Sequence, residues 1–158
     1  MRHLLAASLI SVAVAGCAWA DGPPVNVHGK AQRSGVYCGG AAPPKSLVDQ
    51  LAKPRVTTER FDVLRGKSGS TGKAFVSFMP DASGNFSIKL PPGDYCVIEA
   101  GKRDRPKNGY DKLIDASCEE NFRNTCSLTW HIGPQDTDVS FTLSDMCQSP
   151  CYRGPLRP

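Results

Sequence analysis

Between Asn85 and Ala100, apolar and polar residues alternate with a period of two, stop at a turn, and resume. Phe86, Ile88 and Leu90 alternate with Ser87 and Lys89, the pattern of a half-buried strand, and Cys96, Ile98 and Ala100 repeat it on a return strand. Pro91-Pro92-Gly93-Asp94 fits a type II turn, with Pro92 presetting φ at the second position and Gly93 free to take positive φ at the third. The expected unit is a hairpin, entered through Pro80-Asp81-Ala82-Ser83-Gly84.

The same periodicity predicts other strands. Val25 to Arg33 places Val25, Val27 and Gly29 on one face, and Phe61 to Gly66 follows as a further strand. Lys73 to Met79 is apolar on both faces, as expected of a central strand. Thr137 to Leu143 is a closing strand with Val139, Phe141 and Leu143 inward. One helix is expected over Lys45 to Ala52, because Pro43-Pro44 suits a first turn, Leu47, Val48 and Leu51 are spaced for one face, and Pro54 stops it. Leu113, Ile114, Cys118 and Phe122 allow a helical turn or two between Tyr110 and Trp130. Lys67 to Gly72 is a polar loop.

Composition supports this reading. The chain has 158 residues with 15 glycines and 13 prolines, a load suited to short strands and turns and unsuited to a helical bundle. The expectation is a mainly β protein: a single antiparallel β-sandwich of about seven strands with one short helix and a disulfide-stapled C-terminal tail. Residues 25–145 form the sandwich and 146–158 an irregular tail.

Residues 1–20 read as an export signal, with Arg2 followed by an apolar run from Leu4 to Ala15. That run falls well short of the ~20 residues a membrane span needs. Two endings are open. Val14-Ala15-Gly16-Cys17 resembles a bacterial lipobox, with removal of residues 1–16 and lipidation of Cys17. Ala18-Trp19-Ala20 fits cleavage before Asp21. Lipidation is the preferred reading, and Ala18 after the modified cysteine favours the outer membrane. Either route leads to the periplasm.

Seven cysteines less Cys17 leave six: Cys38, Cys96, Cys118, Cys126, Cys147 and Cys151. An even number in an exported domain predicts three disulfides, with connectivity that spacing alone does not determine. The local pair Cys118–Cys126 is the expected neighbour bridge, and Cys147 or Cys151 is expected to staple the tail.

Val27-His28-Gly29-Lys30-Ala31, Ser34-Gly35, and then Gly84, Phe86, Leu90-Pro91-Pro92-Gly93 and Tyr95 together resemble a carboxypeptidase regulatory-like (transthyretin-like, prealbumin-type) domain over residues 25–100. The resemblance implies a β-sandwich and says little about function, since function lies in sites grafted on such scaffolds. The helix, the cysteines and the segment after Lys102 set this chain apart as an exported, cysteine-containing subfamily.

Candidate chemistry is sparse. The formal net charge is +4, concentrated in Lys102, Arg103, Arg105 and Lys107. Such a run is ordinarily a solvated loop, and its sharper reading is an anion contact for lipid or glycolipid headgroups. Nucleic acid is not expected, because no aromatics interleave with the basic residues. Tyr152-Arg153-Gly154 resembles the terminal motif of transthyretin-like 5-hydroxyisourate hydrolases, but Pro155 replaces the final serine and no His-x-Pro precedes it. His28 and His131 lack a second positioned base, so no catalytic residue is assigned. Cys147-x3-Cys151, Cys118-x7-Cys126 and His131 match no zinc spacing, so no metal or cofactor is assigned. The expectation is a non-catalytic binding or structural module of a bacterial cell envelope, contacting an envelope protein, glycan or lipid headgroup. A small exported hydrolase or a periplasmic metal-handling protein is the alternative.

Overall fold

The computed structural model describes residues 22–68, 72–104, 113–147 and 149–154. In chain order the elements are β1 (Val25–Ser34), α1 (Lys45–Leu51), β2 (Arg55–Val56), β3 (Phe61–Arg65), β4 (Val76–Phe78), β5 (Asn85–Leu90), β6 (Gly93–Glu99), α2 (Ala100–Arg103), α3 (Ala116–Asn124), β7 (Leu128–Ile132), β8 (Thr137–Asp138) and β9 (Phe141–Ser144). They form two sheets. The first is built on both edges of β1: β5 and β2 pair antiparallel along one edge, and β8 and β9 pair parallel along the other. The second has the order β4-β3-β6-β7, antiparallel throughout.

Alternation explains how the sheets meet. Val27, Ala31, Phe86 and Leu90 of the first sheet share one apolar core with Phe61, Val63, Tyr95, Val97, Trp130 and Ile132 of the second. At its centre Phe86 stacks on Phe78 with ring centroids 4.4 Å apart and on Trp130 at 5.9 Å, while Phe141 meets Phe61 edge-on at 5.3 Å. Offset and edge contacts of this kind add to the burial of the rings themselves. The intervening residues Leu64, Cys96 and Ile98 point the other way and form a small second cluster with Cys126. The molecule is therefore a mainly β sandwich with few helices and a tail held by disulfides.

Several local expectations change. β5 and β6 do not form a hairpin, because β5 pairs with β1 and β6 with β3 and β7, so Pro91-Pro92 carries the chain from one sheet to the other. Gly93 has φ of +151°, far from the ~+80° of a type II third position, and already belongs to β6. The Tyr95 hydroxyl donates to the Pro91 carbonyl at 2.7 Å and fixes this crossing. β4 is an edge strand of only three residues, and its flanking Phe75 and Met79 stay 50% and 66% exposed.

Thr137 to Leu143 is two strands, parallel to β1, with a break at Val139-Ser140. The break passes over Gly29, where an added Cβ would lie 2.8 Å from the Ser140 backbone nitrogen. The Ser140 hydroxyl fills the interrupted ladder by accepting the Lys30 N–H at 2.9 Å.

The bridges are Cys38–Cys147, Cys96–Cys126 and Cys118–Cys151. The expected pair Cys118–Cys126 does not form. α3 carries the chain about 9 Å along its axis from Cys118 to Asn124, beyond the ~7 Å Cα limit of a disulfide. Cys118 instead reaches the tail, and Cys126 folds back onto Cys96 as the chain enters β7. Both tail cysteines are used.

Gly29→Ala is expected to destabilise the fold by about 1–3 kcal/mol, because backbone of the neighbouring strand must move to admit one methyl group. A urea titration followed by Trp130 fluorescence checks it, and an unchanged midpoint would refute the close approach.

Candidate functional site

Arg33 lies near the end of β1, where the two sheets converge, and its side chain is only 15% exposed. Its guanidinium gathers carboxylates from three other parts of the chain. Nη2 donates to Glu59 at 2.7 Å and to Glu99 at the end of β6, and Nη1 donates to Asp145 at 3.1 Å. Asp145 follows β9, is held by its own N–H to the Ser34 carbonyl at 2.8 Å, and also accepts from Arg55. The second oxygen of Glu99 accepts from the Ser127 hydroxyl at 3.1 Å. Burial opposes the charge on Arg33, but the hydrogen bond and attraction of Glu99, aided by Glu59 and Asp145, raise its pKa above the ordinary value.

This cluster floors a cleft of about 720 Å³. Lys102, Phe122, Met146 and the Cys38–Cys147 bridge form its other walls. Lys102 of α2 donates to the Thr125 carbonyl at 2.7 Å, and its ammonium sits 4.3 Å from the centre of the Phe122 ring. Burial lowers its pKa, with Glu99 opposing. The cleft thus presents fixed charges of both signs beside apolar side chains, an arrangement suited to orienting a polar ligand. Among the described residues no group of three or more His, Cys, Asp or Glu side chains is placed to hold a metal ion.

The basic run divides. Arg103 donates to Asp62 at 3.0 Å and to the Gly72 carbonyl at 2.8 Å, while Asp62 also accepts from Ser77 at 2.7 Å. Arg103 therefore holds α2 against the second sheet and Lys102 holds it against the end of α3, while Arg105 and Lys107 lie outside the described residues, as does Cys17. His28 is exposed, 4.0 Å from Asp138. His131 is exposed and bonded to Asp94 at 2.7 Å, a contact that, with Lys67, keeps the Asp94 carboxyl below its ordinary range. Tyr152 makes an isolated bridge with Ile114, and Arg153 pairs with Asp115.

Asp115 caps α3, accepting the Cys118 N–H at 2.8 Å and the Ser117 hydroxyl at 2.7 Å. These bonds, with the Arg153 charge, lower its pKa to about 2. Tyr152-Arg153-Gly154 is thus tied to a helix cap.

The cluster of Arg33, Glu59, Glu99 and Asp145 was not among the residues singled out from sequence. Its members stand up to 112 positions apart, and no spacing joins them. The one local hint is that Arg33 and Glu99 are charges at strand ends, where apolar alternation stops.

No family model and no curated protein matches the chain. Among solved structures, it aligns with the Bacillus anthracis TIE protein at 13% identity and a TM-score of 0.37, over 76% of this chain and 17% of that one. A DUF3823 family protein from Parabacteroides merdae aligns at 17% identity and a TM-score of 0.37, over 78% and 47% of the two chains. The minor pilin of Streptococcus agalactiae aligns at 14% and 0.37, over 85% and 49%. The chain spans less than half the length of each, and likenesses this distant do not bear on function.

Replacing Arg33 by Met leaves three carboxylates facing one another and is expected to cost about 2–4 kcal/mol, less than a fully buried pair because Glu59 is largely exposed. Thermal and urea unfolding check this, and a variant as stable as the parent would show the cluster to be dispensable. For Asp115 the folded pKa lies below the ordinary 3.8, so its contribution is present above pH 3.8 and lost as pH falls through about 2. Asp115→Asn is therefore expected to flatten the decline in stability between pH 4 and pH 2 and to leave its shape above pH 5 unchanged, as read from urea midpoints across that range.

Proposed function

We propose that this chain is a non-catalytic binding module of a bacterial cell envelope, exported to the periplasm and tethered to the outer membrane through a lipid on Cys17. Its scaffold is of the carboxypeptidase regulatory-like, transthyretin-like type. The observation that carries this reading is the cysteine pairing: six of the seven cysteines close three bridges, which suits an oxidising compartment and leaves Cys17 outside them as the residue to carry the lipid. The charged cleft floored by Arg33 is the contact surface in this reading, because it is concave, large enough for a small ligand or a partner's side chains, and lined by few, fixed polar groups. Lys102 and Arg103 already hold carbonyl and carboxylate partners. Contact with an anionic headgroup would therefore fall to Arg105 and Lys107.

Intact mass of the protein expressed with its own leader in a Gram-negative host tests the tether. The expected species begins at Cys17, carries acyl chains and lacks two hydrogens for each of three bridges. A lipid-free chain beginning at Asp21 would overturn lipidation while retaining export, and an unprocessed chain would overturn both. Purified protein is expected to leave 5-hydroxyisourate decaying at its spontaneous rate, and measurable acceleration would replace this reading with a hydrolytic one.

A further inference from the structure

The three disulfides differ in how far solvent reaches them. Cys96 is fully buried and packed with Leu64 and Ile98, and Cys151 is 2% exposed. Their partners Cys126 and Cys118 are half-buried. Cys38 and Cys147 are both exposed, and both border the cleft. A thiolate must reach a sulfur to cleave a disulfide, so access ranks this bridge as the one open to attack.

What the bridge restrains is also distinctive. The segment 36–53 leaves β1, forms α1 and returns at β2. α1 buries none of its residues and has no side-chain N-cap. Near its ends the segment is joined to the body by the Gly35 N–H to the Leu51 carbonyl at 2.8 Å and by the two-residue pairing of β2 with β1. Between those points Cys38–Cys147 is the covalent tie, and Val36 and Cys38 on one side face Met146 and Cys147 on the other across the cleft wall.

We propose that Cys38–Cys147 is a thiol–disulfide exchange site that takes a dithiol reductant as its substrate, and that its opening releases segment 36–53 from the wall of the cleft. One thiolate of the dithiol attacks Sγ of either cysteine, forming a mixed disulfide and expelling the other cysteine as a thiolate. The second thiolate of the dithiol then attacks the mixed disulfide. The dithiol is oxidised to its own disulfide, the bridge accepts two electrons, and the two protons shed by the dithiol end on Cys38 and Cys147. The consequence for ligand access rests on the cleft being the contact surface; the exchange chemistry does not.

The purified mature protein is titrated with dithiothreitol under native conditions, quenched with N-ethylmaleimide and mapped by peptide mass, with amide exchange followed in parallel. Cys38 and Cys147 are expected to be labelled at least about tenfold faster than the other four cysteines. Trp130 fluorescence is expected to hold constant while exchange accelerates over residues 36–53. Simultaneous reduction of all three bridges, earlier loss of another bridge, or unchanged exchange over 36–53 would each overturn the proposal. The double variant Cys38→Ser/Cys147→Ser is expected to fold with two disulfides and to show the rapid exchange of the reduced form. A variant that fails to fold would make the bridge structural and end the proposal. None of these outcomes depends on lipidation or on the identity of a ligand, so failure here is distinguishable from failure of the envelope reading.

Discussion

The convergence of three carboxylates on the Arg33 guanidinium is the interaction on which the open end of this sandwich depends. An apolar core is non-directional and would let two sheets slide or splay at their ends. Arg33 removes that freedom by joining β1 of one sheet to Glu99 of the other, and to Glu59 and Asp145 on the segments entering β3 and leaving β9. A guanidinium suits the role because its rigid fork of donors serves several carboxylates in one plane. The charges are half-shielded, not sealed, which moderates the desolvation they suffer and leaves a polar floor in the cleft above them.

Covalent bonds reinforce that geometry at three levels. Cys96–Cys126 pins the outer face of the second sheet, next to Leu64 and Ile98. Cys118–Cys151 ties α3 to the tail, beside the Asp115 cap and its Arg153 partner. Cys38–Cys147 joins the chain after β1 to the chain after β9, across 109 positions. A core of this size gains from such staples, since a small domain buries limited apolar surface. The cleft therefore lies between an ionic floor and a covalent rim, with Lys102, Phe122 and Met146 along its remaining walls.

Much of the architecture was legible because alternation is a local signal. Val27, Phe86 and Leu90 were each set on the apolar face of their strand by period alone, and all three are buried. Leu128, Trp130 and Ile132 carry the same alternation as β7, but they follow a helical stretch whose turn-like pattern obscured them. Pairing was not legible. Pro91-Pro92-Gly93 reads equally well as a hairpin turn and as a passage between sheets, because a turn records local dihedrals and not which strand lies alongside. β4 looked central because both faces are apolar, yet Phe75 and Met79 remain exposed at a sheet edge. The Arg33 cluster was invisible for a related reason: like-looking surface charges become a site only when topology brings distant strand ends together.

The parallel pairing of β8 and β9 with β1 has a bearing on the order of assembly. Val27 meets Thr137 and Ser34 meets Ser144, so one edge of β1, the first of the described strands, is matched by β8 and β9, the last two of them. Until residues 137–144 are present, half of β1 has its backbone groups open to water and the aromatic core lacks Phe141. Loop closure over such a distance must precede the contacts that reward it, which makes this edge late to form. A chain made N-terminus first would therefore hold that edge of β1 unpaired until residues 137–144 had followed, so the first sheet closes only after the second has all its strands.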